Sequence, residues 1–228
     1  MKIGNLDIIQ IEEDYNSKFF IQNNDNILCS VLLYTIDLPV ENYHFFAEDI
    51  CSLSDYIKKN TFTIDMAYRL VYDMYKQIKR MESKYNFTIP FIDLDDIMVF
   101  NENRFYFVNY DKLLTLEKKF TGTIYTSYDK SNIFLSPEFK NNEVLPLKFY
   151  ASSVYYSLAL VILHLLSNEK LLYDIDSSNS CVKASSSSDN DYSNTQLFLI
   201  KNYNFTKLQY ILLRCLYNNP TDRAFIIF

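Results

Sequence analysis

Only two glycines, Gly4 and Gly122, occur in 228 residues, against an average usage of roughly 7%. Glycine-rich loops that lay backbone N–H groups on phosphates, of the Walker or dinucleotide type, cannot be built from such a chain. Nucleic acid is disfavoured as a partner too. The chain carries 22 basic against 28 acidic residues, a net charge of −6, and has no long Lys/Arg block to displace counterions from a phosphate backbone. With 49% apolar residues it reads as one or two globular domains, long enough to bury a core.

The cysteines Cys29, Cys51, Cys181 and Cys215 are spread out with no C-x-x-C pair. Only His44 and His164 could join them as soft ligands, so no zinc site is expected. The N-terminal segment meets acidic residues before any continuous apolar run, which argues against a secretory signal and for a reducing compartment with free thiols. The longest apolar stretch, Val154 to Leu166, contains Ser157 and His164. It falls short of the roughly 20 residues that cross a bilayer, so a buried helix is expected and a membrane is not.

Apolar and polar positions alternate through Asp7 to Ile11 and Lys18 to Gln22, followed by runs from Leu28 to Ile36 and Tyr43 to Phe46. These predict short antiparallel strands. Ala67, Leu70, Val71, Met74, Ile78 and Met81 carry the three-and-four spacing of one buried helical face, predicting a long helix that closes near Lys84. Lys76, Lys79, Arg80 and Lys84 are read as its solvated side. Ile97 to Phe100 and Phe105 to Val108 flank Asn101-Glu102-Asn103, a turn-forming tripeptide, and predict a hairpin. Lys112 to Phe134 lacks periodicity and reads as loop, Phe149 to Leu166 as a central helix, and Thr206 to about Tyr217 as a final helix. Asp174 to Asn194 is a Ser/Asp/Asn tract with almost no apolar content, expected to be a mobile insertion.

This order of elements, with particular residues in it, resembles a eukaryotic protein kinase. Phe45 to Asp49 followed by Ser52 to Ile57 resembles the hinge strand and the short helix after it. Ile97 to Asp111 resembles the hairpin between the catalytic loop and the Asp-Phe-Gly triplet. Phe134-Leu135-Ser136-Pro137-Glu138 is similar to the Ala-Pro-Glu motif, and Tyr156-Ser157-Leu158-Ala159 to the Trp-Ser-Leu-Gly of the central helix. Asn219 to Arg223 resembles the Asp-Pro-x-x-Arg turn. The likeness covers residues 43 to 228. It implies an α+β, two-lobed kinase-like fold, with a truncated β-lobe over 1–50 and a reduced, mainly helical lobe over 51–228 that carries the insertion at about 174–194.

The same resemblance implies that the catalytic positions have decayed. Phosphoryl transfer in this family needs a glycine-rich lid, a strand lysine paired with a helix glutamate, a catalytic-loop Asp, and an Asn plus an Asp on magnesium. Here Phe91 stands where the base belongs, with Asp93 as its substitute only if the loop is shortened. Asp96 replaces the magnesium-binding Asn, and Asn109-Tyr110-Asp111 replaces the Asp-Phe-Gly triplet. Asp96 and Asn109 are the candidate metal ligands, and Glu48 and Asp49 the hinge equivalents. Val154 replaces the aspartate that anchors the catalytic loop. Glu138 and Arg223 are expected to form a buried ion pair.

The implied protein is a pseudokinase acting as a binding or scaffolding module for protein partners, with no cofactor expected and residual ATP/Mg binding as the lesser alternative. Its composition is similar to short kinase-like chains of large nucleocytoplasmic DNA viruses, which would place it in the cytoplasm of an infected cell or in the virion. An AT-rich protist genome would leave the same imprint. The other readings are a weakly active atypical serine/threonine kinase, which would need an unconventional lysine such as Lys2 or Lys18, and a structural virion component.

Overall fold

The structure, a computed structural model, describes residues 2–3, 6–13, 16–22, 32–41, 44–117, 120–142, 144–167, 202 and 206–225. The predicted insertion at 174–194, Cys29 and Cys181 lie outside the described residues.

The early alternation makes five strands: β1 (Lys2–Ile3), β2 (Leu6–Glu13), β3 (Asn16–Gln22), β4 (Val40–Glu41) and β5 (His44–Ala47). They form an antiparallel sheet in the order β1-β2-β3-β5-β4, with Ile8 opposite Ile21 and Phe20 opposite Phe46. The run from Leu28 to Ile36, expected as a strand, is helical over the described part, 32–36. Leu32, Leu33 and Ile36 sit at one-and-four spacing and are all 0% exposed. That spacing suits a helical turn with one buried side better than a pleat, which would turn alternate residues outward.

A second sheet pairs β6 (Ile50–Ser52), β8 (Ile97–Phe100) and β9 (Arg104–Phe107) in that order. The predicted hairpin is present, and its turn places Asn101 (φ 48°) and Glu102 (φ 65°) in the left-handed region. In a glycine-poor chain Asn and Asp take most of these positions, as Asn86 (φ 57°) and Asp37 (φ 51°) also do, because a short polar side chain lowers the cost.

Helix α1 (Leu53–Lys59) starts at Ser52, whose hydroxyl accepts the Asp55 N–H. Helix α2 (Ile64–Arg80) starts at Thr63, which accepts from Met66 in the same way. Its buried face includes Ala67, Leu70, Val71, Met74 and Ile78, as the spacing predicts. Two polar residues on that face, Asp73 and Gln77, are 0% exposed and close the outer edge of β9. Phe105 N–H donates to Asp73, Gln77 Nε2 donates to the Phe105 carbonyl, and Phe107 N–H donates to Gln77 Oε1. The helix thus supplies the partners a neighbouring strand would otherwise give.

After a π turn over Met81–Tyr85 come β7 (Phe87–Thr88) and, beyond the hairpin, its antiparallel partner β10 (Leu114–Thr115). The segment read as loop therefore contains strand, and β11 (Thr121–Ile124) pairs with β12 (Leu147–Tyr150). Phe149 and Tyr150 consequently belong to a strand rather than to the central helix. Gly122 has a packing reason: a Cβ there would stand 2.7 Å from the Phe149 ring, which lies over β11. Short helix α3 (Pro137–Lys140) follows Ser136. Helix α4 (Ser153–Leu166) is buried along almost its whole length, and α5 (Lys207–Cys215) packs on it. The molecule is a mixed α+β fold, with its main core between α2, α4, α5 and the β6-β8-β9 sheet.

Candidate functional site

The loop after β7 is short and mostly buried through Ile89 to Ile92. Asp93 then caps a tight turn over Leu94–Asp96: its carboxylate accepts the Leu94 N–H at 2.8 Å, while the Asp96 carboxylate accepts the Asp93 N–H at 2.7 Å. The other Asp93 oxygen takes Asn132 Nδ2 at 3.4 Å, so both are engaged.

From below, the loop is held by α4. Val154 is buried and apolar, as the sequence indicates, but the anchor is not lost. Ser157, three residues later, accepts the Ile92 N–H at 2.8 Å and returns its own hydroxyl toward the Ile92 carbonyl at 3.3 Å. Ser157→Ala strands the Ile92 N–H in an apolar interior, and an unsatisfied buried group costs about 1–3 kcal/mol. Urea unfolding should show that loss as a lower midpoint with an unchanged slope.

Asp96, 3% exposed, is the hub. Its Oδ1 accepts Asn109 Nδ2 at 2.7 Å, its Oδ2 accepts Lys112 Nζ at 2.5 Å, and its backbone carbonyl accepts the Val108 N–H at 2.9 Å. The returning strand β9 delivers Asn109, and a 3-10 turn over Tyr110–Lys112 swings Lys112 back onto Asp96. Asp111 stays exposed on that turn. Lys112 is the residue that sequence reading missed. The only signal was its place three residues after Asn109, close enough to share one turn.

Phe91 completes the group. Lys112 Nζ lies 5.2 Å from the Phe91 ring centroid. The ring is 8% exposed and packs edge-on to Phe139 (5.7 Å) and tilted against Tyr128 (5.9 Å). Tyr128 donates its hydroxyl to the Phe139 carbonyl at 2.8 Å, and burial pushes its phenol above the usual range. A ring cannot take a proton, and the aromatic trio fills the space beside it.

At the far end of the hairpin, Glu48 and Asp49 are exposed, but their backbones are tied down. Asn101 Oδ1 accepts the Glu48 N–H at 2.7 Å and the Asp49 N–H at 3.4 Å, and the Asn101 N–H donates to the Asp49 carbonyl at 3.0 Å. Those groups are engaged by the protein itself.

No known family model and no curated protein matches this sequence.

Two further clusters lie away from the loop. Glu138 and Arg223 meet in a two-pronged ion pair at 2.5 and 2.8 Å, with Ser153 donating to the carboxylate at 2.5 Å. Arg223 also donates to the Tyr217 and Asn218 carbonyls and stacks on Tyr156. Burial raises the Glu138 carboxyl, but Arg223 and Ser153 outweigh it and hold the group below its ordinary value.

Lys79, whose side chain is 45% exposed, keeps to the solvated side of its helix but is also tied to the body of the protein. It donates to Glu82 at 3.0 Å and to the Tyr155 hydroxyl at 2.7 Å. Burial, with Glu82 beside it, pushes the Tyr155 phenol up to about 12.

His164 is 3% exposed and packs edge-on to Phe134. His44, Lys2 and Lys18 lie on described strands, but their side chains are outside the described residues. Cys51 and Cys215 are free thiols. Among the described residues no group of three or more His, Cys, Asp or Glu could hold a metal, and no helix is long and apolar enough to cross a membrane.

Proposed function

We propose that this chain is a catalytically degenerate, protein-kinase-like protein that works as a binding or scaffolding module. The observation that carries the reading is Phe91: the position which the kinase resemblance gives to the catalytic base is a buried ring packed between Tyr128, Phe139 and the Lys112 ammonium. The neighbouring carboxylate has a structural task of its own: Asp93 Oδ1 caps the Leu94 N–H, and its Oδ2 lies 3.4 Å from Asn132 Nδ2. Asn101 engages the backbone at Glu48 and Asp49 that a nucleobase would need in such a fold.

The continuous antiparallel sheet before Glu48 and the mainly helical body after Asp49 agree with the two-lobed arrangement that the resemblance implies. The Glu138–Arg223 pair is the ion pair that the resemblance implies within the second part.

Calorimetric titration with ATP and magnesium should give no binding heat, and incubation with labelled ATP and a generic protein substrate should give no transfer. Turnover that disappears in Asp93→Asn would overturn the reading in favour of an atypical kinase.

A further inference from the structure

A buried carboxylate beside an amide is the kind of donor pair that collects a hard divalent cation, and Asp96 with Asn109 supplies one. The pair is already neutralised from within. Lys112 Nζ stands 2.5 Å from Asp96 Oδ2; the Lys112 side chain is 24% exposed and that of Asp96 4%. Asp96 Oδ1 is spent on the Asn109 N–H, so the amide presents its donor, not its oxygen, to the carboxylate. The Asp93 N–H takes what remains of Oδ2.

We infer that the Lys112 ammonium is a built-in counter-ion that occupies the cation position at Asp96 and excludes divalent metal from it. A magnesium ion would have to sit about 2.0–2.1 Å from an Asp96 oxygen, within a few ångströms of a fixed positive charge, and would also need the Asn109 amide to turn over. Lys112 Nζ also lies 5.2 Å from the centroid of the Phe91 ring, a second attractive contact that favours the ammonium where it stands. The inference rests on the reading above for the expectation that a cation once belonged here; the exclusion itself rests on these contacts.

The test removes the lysine charge. Lys112→Met leaves the Asp96 carboxylate buried with only neutral donors, so its thermal midpoint should fall and then rise again as manganese chloride is added. Free Mn²⁺, followed by its paramagnetic resonance signal, should be depleted with a dissociation constant on the order of 10⁻³ M, weak because two protein ligands leave the rest of the shell to water. The wild type and Lys112→Arg should show neither response, and Lys112→Met combined with Asp96→Asn should lose both. Lys112→Gln, whose amide can still donate to Asp96, serves if the methionine variant does not fold.

A folded Lys112→Met or Lys112→Gln protein that takes up no more Mn²⁺ than its Asp96→Asn control would overturn the inference. So would a wild type that binds Mn²⁺ as tightly as the variant. Nucleotide is absent from these measurements, so their failure leaves the binding-module reading untouched. ATP turnover by the wild type would overturn that reading without altering the metal comparison.

Discussion

Arg223→Met should lower the unfolding free energy by about 3–5 kcal/mol, the range for removing one partner of a buried pair. The Arg223 side chain is 0% exposed and Glu138 13%, so water cannot replace the guanidinium. The variant leaves a carboxylate with Ser153 as its remaining side-chain donor, and strips the Tyr217 and Asn218 carbonyls of theirs. Glu138→Gln combined with Arg223→Met should cost less than the two single changes summed, because the double variant buries no lone charge. Chemical denaturation of all four proteins checks this.

The pair also sets an acid limit. Glu138 is held below its ordinary value of 4.5 in the fold, so the unfolded chain takes the proton first as pH falls. Its stabilisation is complete above that value and fades as pH drops through the lower, folded one. Unfolding midpoints measured downward from pH 6 should fall more steeply for the wild type than for Glu138→Gln.

Asp73→Ala is expected to be as damaging, again about 3–5 kcal/mol. Asp73 holds Arg104 through Nε and Nη2, both at 3.1 Å, and accepts the Phe105 N–H at 3.1 Å. Without it the Arg104 side chain, 13% exposed, keeps among the described residues the Asp37 carboxylate at 3.5 Å, itself 70% exposed, and the β9 edge opens at Phe105. Asp73→Asn should lose less, since an amide oxygen can still accept that N–H.

The pH sign is opposite to that of Glu138. Burial raises the Asp73 carboxyl above its ordinary 3.8, and Arg104 and Phe105 only partly offset it. The folded protein therefore takes the proton first, and this group's contribution grows as pH falls through the raised value and levels off below 3.8. Asp73→Asn should make the acid loss of stability steeper. Hydrogen exchange at Phe105 and Phe107 would report the edge directly, rising most at Phe105 in the alanine variant.

Elements built from neighbouring residues could be read from the chain. The α2 face follows from Ala67, Leu70, Val71, Met74 and Ile78, and the hairpin from Asn101 between two apolar runs. The burial of α4 follows from the run Val154 to Leu166, apolar except at Ser157 and His164. The reading went astray where a run lacked a clear period. Residues 32–36 read as strand by pattern but are helical, and Thr121–Ile124 reads as loop but is strand. In the second case the partner, Leu147–Tyr150, is some twenty residues away, so no local pattern names it.

The site divides in the same way. Sequence alone determined that no glycine-rich phosphate loop exists, that a phenylalanine stands at position 91, and that Asp93 and Asp96 follow it closely; Asn109 and Asp111 joined them through the resemblance. Tertiary structure alone decided that Lys112 closes on Asp96, that Ser157 rather than residue 154 anchors Ile92, and that Asp73 and Gln77 face β9 instead of water. Periodicity and turn chemistry act between residues a few positions apart and leave their mark on the chain. A buried polar contact is selected by which distant group can reach an otherwise unsatisfied donor or acceptor, and that is fixed only when the core closes around it.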